Sequence, residues 1–236
     1  MNKINKNNHN FYLSNTEPCP YLTNRDEKKI FLIMDDINKS KEYEFLIKNG
    51  FRRSHNILYN QVCANCNLCK SIRVNVKEFK LSKSNKRILN KNKNIFIKKI
   101  SSSPTEEQFL LFKKYLKFKH YDSEMNEMIF DDYCKMFNPP GISTKIYEYY
   151  YQGELVGCVI SDFLEESLSM VYSFYTDSFL KNSFGKYIII DHFRLAKKIS
   201  KKYVYLGYWV EGSSKMDYKN SFNSSEVLID NKWTTV

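Results

Sequence analysis

An α+β fold is what this sequence predicts, and three stretches predict it. SSSPTEEQFLLFKKYLKFKHY, residues 101–121, sets Ser103 one position before Pro104 and three before Glu106. That is the pattern of a capping box with proline at the first helical position, so a helix should run to about His120. STKIYEYYYQGELVGCVISDFLEESLSMVYSFYTD, residues 143–177, falls into three strand-length runs broken at Gln152-Gly153 and Glu165-Glu166. FGKYIIIDHFRLAKKIS, residues 184–200, carries one apolar face and leads into YVYL at 203–206, a helix followed by a strand.

The remaining elements follow in chain order. The first ten residues are polar and should fray. NFYLSNTEPCPYLTNR, residues 10–25, holds Pro18, Cys19 and Pro20 and reads as an ordered loop. KIFLIM at 29–34 is strand-like, and KSKEYEFLIKNG is a short helix ended by Gly50, where a positive φ costs glycine little. FRRSHNILYN then leads into a cysteine cluster, and SIRVNVKEF places Ile72, Val74 and Val76 on one face, as a half-buried strand does. The basic run LSKSNKRILNKNKN at 81–94 precedes the short strand IFIKKI. A second helix is expected in NEMIFDDYCKMF, ending at Asn138 before Pro139, Pro140 and Gly141. The stretch SSSP marks the boundary between two expected domains, a smaller α+β region over 1–100 carrying the cysteine cluster and a larger one over 101–236.

Composition bounds the function. With 42% hydrophobic residues over 236 positions the chain can bury a core, and no run of about 18 apolar residues is available to cross a membrane. MNKINKNNHN lacks the apolar centre of a secretory signal, so the cytoplasm is the expected location. Lysine and arginine outnumber aspartate and glutamate by 37 to 26, a net charge of +11 that suits a polyanionic partner such as nucleic acid. Lysine carries most of that excess, beside abundant Asn and Ile and only two alanines, Ala64 and Ala196, which also fits an A/T-rich coding background. The few arginines, among them Arg52, Arg53 and Arg73, are more informative, because a guanidinium makes planar bidentate contacts.

Three constellations could carry chemistry. Cys63, Cys66 and Cys69 form a C-x2-C-x2-C cluster with Cys19 as a fourth candidate, a set suited to zinc or an iron–sulfur cluster, or else a loop of reduced thiols. Cys134 and Cys158 fall on apolar faces and read as core. Asp177, Ser183, Gly185 and Lys186 lie where a strand gives way to a helix whose free N–H groups could receive an anion or an oxyanion, or where Ser183 simply caps it. GYWVEGSSKMDYK, residues 207–219, crowds Tyr208, Trp209, Glu211, Lys215, Tyr218 and Lys219 into thirteen positions and reads either as a site or as a solvated helix start. His9, His55, His120 and His192 show no metal or triad spacing.

The order helix, helix, three antiparallel strands, helix, strand resembles the GNAT acyltransferase layout. Taken together, CPYL at 19–22, GFRRS at 50–54, CANCNLC at 63–69, VYSF at 171–174 and LGYWVEGSSKMDYKNSF at 206–222 resemble the arginyl-tRNA–protein transferase family. Within it they are similar to the bacterial aspartate/glutamate leucyltransferases, over roughly residues 10–233. Where that family has YRPxC this chain has Tyr59-Asn60-Gln61-Val62-Cys63; for RPxE it has Asn223-Ser224-Ser225-Glu226, and for SLGT, Ser183-Phe184-Gly185-Lys186. The resemblance implies transfer of leucine from leucyl-tRNA to an N-terminal Asp or Glu, marking the acceptor for N-degron proteolysis. It also implies a GNAT-like C-terminal domain, no cofactor required for catalysis, and a monomer with tRNA and protein partners.

On that reading Glu211 orients or deprotonates the attacking amine, with Tyr208 beside it and backbone N–H groups near Gly207 or Gly185 facing the oxyanion. Arg52, Arg53 and Arg73 are candidates for the acceptor's carboxylate. Tyr208 and Trp209 would hold the leucyl group or terminal base, and Lys215 and Lys219 phosphate or carboxylate; Tyr59, Tyr218, Ser183 and Gly185 are further substrate-binding candidates. The lysines of 80–93 would track the tRNA backbone. Two other expectations compete, arginine as the transferred residue or an acetyl-CoA-dependent GNAT enzyme, and a third is a non-enzymatic RNA-binding module built on the cysteine cluster.

Overall fold

Strands from both ends of the chain meet in one sheet. The computed structural model describes residues 9–34, 40–93, 95–121, 124–137, 139, 141–213 and 216–236. The first of these build a small sheet in which Tyr12–Leu13 (β1) pairs with Lys29–Ile33 (β4), β4 with Ile57–Gln61 (β6), and β6 with Arg52–Ser54 (β5). Glu17–Pro18 (β2) and Asp26–Glu27 (β3) form a separate two-stranded ribbon. Helix Ser40–Lys48 (α1) buries Tyr43, Leu46 and Ile47 against Leu32, Met34 and Leu58. It stops at Gly50, whose φ of +96° is the left-handed conformation expected there.

The chain then continues through Cys69–Asn75 (β7), Lys83–Lys91 (α2), Ile97–Ser101 (β8), Glu106–Lys119 (α3) and Phe130–Lys135 (α4). A three-stranded meander follows, Ser143–Tyr151 (β9), Glu154–Phe163 (β10) and Ser167–Tyr175 (β11), turning at Gln152 and Gly153, both with positive φ as a tight hairpin requires. Phe184–Lys198 (α5) crosses back to Tyr203–Val210 (β12), and Ser225–Ile229 (β13) and Lys232–Thr235 (β14) close the chain. The main sheet has the order β14-β13-β7-β12-β11-β10-β9-β8. Its third strand, β7, comes from residues before position 100 and lies between β13 and β12. The fold is thus a mixed α+β one, with α5 covering one face through Ile188, Ile189 and Phe193 and α3 the other through Leu111, Phe112 and Leu116.

Two boundaries differ from expectation. α3 is capped by Thr105 rather than Ser103: the Thr105 hydroxyl accepts from the Gln108 N–H at 3.3 Å, and the Gln108 side chain accepts from the Thr105 N–H at 3.0 Å. Gln108 is also held by Glu148 and Tyr133, so tertiary contacts choose between two similar capping patterns. The second expected helix divides into a 3-10 turn at Glu124–Glu127 and α4, and its expected end at Asn138 lies outside the described residues.

β11 and β12 run parallel but pair only from Ser167–Ser169 against Tyr203–Tyr205; beyond those residues the two strands part. β12 also bulges against β7 between Tyr205 and Tyr208, at Gly207, whose φ of +82° suits glycine.

Candidate functional site

Where β11 and β12 part, close contacts link the end of β11, the first turn of α5 and the 3-10 turn after β12. At the end of β11, the Tyr175 ring packs so closely on the first turn of α5 that a side chain at Gly185 would come within 2.5 Å of the Tyr175 hydroxyl. Lys186, one residue on, donates to the Ser221 hydroxyl at 3.0 Å, which ties α5 to the 3-10 turn Asp217–Ser221 after β12. Ser183, directly before α5, adopts a left-handed φ of 55° and makes no side-chain cap. Glu211 is exposed in the turn that ends β12. Lys215 lies outside the described residues.

On the other side of β12 is a buried cationic cluster. Tyr208 is 4% exposed, and its hydroxyl lies 3.0 Å from the Gly50 carbonyl and 3.1 Å from Asn60 Oδ1. Its ring meets Tyr59 edge-on and carries the Arg52 guanidinium 5.6 Å from its centroid, while the Tyr205 ring lies 5.3 Å from the same guanidinium. Lys219 reaches in from the 3-10 turn and donates to the Tyr208 carbonyl at 2.7 Å. Burial, with the nearby Arg52 charge adding to it, lowers the Lys219 pKa to about 7. Burial likewise raises the Tyr59 phenol to about 12, so Tyr59 remains protonated at neutral pH.

The three arginines therefore separate. Arg53 is committed to Asp162 through Nε and Nη2 at 2.7 and 2.9 Å, with both side chains fully buried. Tyr43 and Thr144 hydroxyls complete the Asp162 carboxylate at 2.6 and 2.7 Å. Arg73 is held by Glu226 at 2.7 Å and lies between the rings of Tyr203 and Trp233. Both guanidiniums are thus engaged by carboxylates of the chain itself. Among the described residues Arg52 keeps two buried donors without a hydrogen-bond partner, its Nε and Nη2. Trp209 points away from Tyr208, as alternation along a strand demands, and packs on the apolar cluster beneath α5, so the two do not form one aromatic wall. Tyr218 is half exposed, with the Lys219 ammonium 5.9 Å from its ring.

The cysteines gather without forming a ligand set. Burial raises the Cys69 thiol to about 12, and neighbouring Cys19, Cys63 and Cys66 add to that effect. All four are free thiols, yet among the described residues no group of three His, Cys, Asp or Glu side chains is placed to hold a metal ion. Cys158 is buried in the core as expected, whereas Cys134 is only partly covered.

Sequence reasoning missed Tyr175, Ser221 and Asn60, which touch Gly185, Lys186 and Tyr208. The nearest signals to the first two are VYSF, which Tyr175 directly follows, and LGYWVEGSSKMDYKNSF, which contains Ser221.

Residues 17–87 match the family model described as Arginine-tRNA-protein transferase, N terminus, and residues 107–229 match its C terminus counterpart. Proteins named aspartate/glutamate leucyltransferase are similar along nearly the whole chain. That of Ruegeria sp. (strain TM1040) is 38% identical over 95% of this chain and 82% of its own length. That of Hyphomonas neptunium is 37% identical over 94% and 90%, and that of Nitrobacter winogradskyi 38% over 100% and 95%. Among solved structures, L-PGS from Bacillus licheniformis aligns with a TM-score of 0.48 and 16% identity, over 62% of this chain and 48% of that one.

Proposed function

Because this chain belongs to the arginine-tRNA–protein transferase family, we propose that it transfers leucine from leucyl-tRNA to the N-terminal Asp or Glu of acceptor proteins. The observation that carries the reading is coverage: both parts of the family model match, and relatives named leucyltransferase align over 94% to 100% of the chain. Among the described residues no helix is long and apolar enough to cross a membrane. We take the enzyme to act in the cytoplasm as a monomer, marking its acceptors for N-degron proteolysis.

In the reaction the acceptor's neutral α-amine attacks the ester carbonyl. A C–N bond forms, the C–O bond to the terminal ribose breaks, and the proton lost by the amine is balanced by one gained at the ribose oxygen. The ester is already activated, so the protein's task is chiefly positioning, which can lower the barrier by about 7–11 kcal/mol. We read the parted β11 and β12 as the GNAT-like feature that admits the aminoacyl end. The uncapped first turn of α5 at Gly185 and the bulge at Gly207 offer backbone N–H groups for the oxyanion. Glu211, exposed at the end of β12, is the group that orients or deprotonates the amine, whose free pKa of about 8 leaves roughly a tenth of it neutral at pH 7. The basic helix α2, with Lys83, Lys86, Arg87 and Lys91 and no acidic residue, follows the tRNA backbone.

Transfer of radiolabelled leucine and arginine from their charged tRNAs onto peptides beginning with Asp, Glu, Asn, Gln, Lys or Arg tests this. Leucine on Asp and Glu alone is the expected result. Arginine on the same peptides would keep the mechanism and change the donor, and no transfer from any charged tRNA would overturn the reading.

A further inference from the structure

Arg52 and Lys219 are two cations, each more than nine-tenths buried, and among the described residues neither is paired with a carboxylate. Arg52 Nη1 is occupied by the Ile47 and Phe51 carbonyls at 3.4 and 2.7 Å, and its faces by the Tyr205 and Tyr208 rings. What remains is the edge formed by Nε and Nη2, two parallel N–H donors spaced to match the two oxygens of a carboxylate. The next residue shows what that edge does when an anion is present, since Arg53 grips Asp162 with the same two atoms. Lys219, spending one ammonium proton on the Tyr208 carbonyl, has two more to offer.

We propose that the Nε–Nη2 edge of Arg52 and the ammonium of Lys219 together form the subsite for the side-chain carboxylate of the acceptor's N-terminal Asp or Glu. This assignment rests on the transferase reading and names the residues that set its specificity. A carboxylate on one or two methylenes can enter so buried a place, whereas a polynucleotide phosphodiester carries a sugar on each side. Gly50 and Asn60, which touch the Tyr208 hydroxyl, also line a polar cavity of about 410 Å³ whose walls include Lys70 and Asp230; Arg52 and Lys219 stand behind that wall rather than in it. An Asn or Gln side chain would turn an amide N–H toward the guanidinium, leaving buried donors unmatched, the arrangement that gives enzymes their largest discriminations. The subsite is also proton-linked. Among the described residues, the groups at Lys219 are the Arg52 charge from β5, the Tyr208 carbonyl from β12 and the Tyr218 ring on its own turn, and of this set only Lys219 titrates near neutrality.

The test compares kcat/KM for peptides beginning with Glu and with Gln, and the Kd for leucyl-tRNA, in wild type, R52Q, R52K and K219M. The Glu-over-Gln ratio should fall by at least about tenfold in R52Q. The fall should be smaller in R52K, which keeps the charge and loses the fork, and smaller again in K219M, with leucyl-tRNA affinity retained throughout. In wild type the ratio should also fall as pH rises through about 7, and K219R should abolish that pH dependence; these readouts stand even if R52Q fails to fold. Ratios equal to wild type in R52K and K219M would overturn the proposal. So would weakened leucyl-tRNA binding with an unchanged ratio, which would place the cations on donor phosphate. A wild-type protein that transfers nothing from any charged tRNA would instead refute the transferase reading and take the subsite with it.

Discussion

Replacing Asp162 with alanine should destabilise the protein by about 3–5 kcal/mol, because it strands a guanidinium that the fold cannot return to water. Arg53 and Asp162 have fully buried side chains, and the carboxylate accepts from four donors: two on Arg53, the Tyr43 hydroxyl and the Thr144 hydroxyl. Arg53 stands on the small N-terminal sheet and Asp162 on β10 of the main sheet, so the pair clamps one to the other. Urea unfolding followed by the fluorescence of Trp209 and Trp233 reads the loss. With a slope of about 3 kcal/mol per M, the midpoint should fall by about 1–1.7 M. The double variant R53M/D162L should recover part of the deficit, since it leaves no unpaired charge. A loss below about 1 kcal/mol in D162A would refute the argument that this is a desolvated pair whose members depend on each other.

Gly185→Ala should cost about 1–3 kcal/mol by overpacking, because the added carbon would meet the Tyr175 hydroxyl at 2.5 Å; denaturant midpoints of G185A and of G185A with Y175A should show loss and recovery. Glu211→Gln should lower the single-turnover transfer rate by about 10²-fold if it acts on the amine, with tRNA affinity retained in a filter-binding assay. Binding of leucyl-tRNA should weaken steeply with salt, and K83Q/K86Q/R87Q should flatten the log–log slope by about two to three units. Lys219, whose pKa folding lowers from its ordinary 10.5 to about 7, binds fewer protons in the folded than in the unfolded chain between those values. Stability should therefore gain a contribution as pH rises from about 7 toward 10.5, and K219M should remove it in pH-dependent unfolding.

Local patterns in the sequence located most of the elements, and long-range pairings decided the rest. The meander 143–177 was legible because its turns carry residues that tolerate positive φ, and α5 because its apolar positions share one face. The alternation of Ile72, Val74 and Val76 identified β7 as a strand, but nothing local says that its neighbours are β12 and β13. The site was legible as a composition and not as an arrangement. Arg52 and Arg53 are adjacent in sequence and point to opposite sides of β5; only the position of Asp162, 109 residues away, tells which of them is committed to the fold. The same limit hid the approach of Lys219 to Arg52, and it made Tyr208 and Trp209 look like partners when strand geometry sends them apart.

The insertion of β7 between β12 and β13 also constrains how the protein is made. Emerging from the ribosome at about 5–20 residues per second, β7 precedes the strands that flank it by on the order of ten seconds. Throughout that interval both of its edges carry unpaired amide and carbonyl groups, and Ile72 and Val74 have no cover. The main sheet therefore cannot close around β7 until residues 203–229 have been synthesised, so the first hundred residues alone do not complete the core in which Ile72 and Val74 are buried.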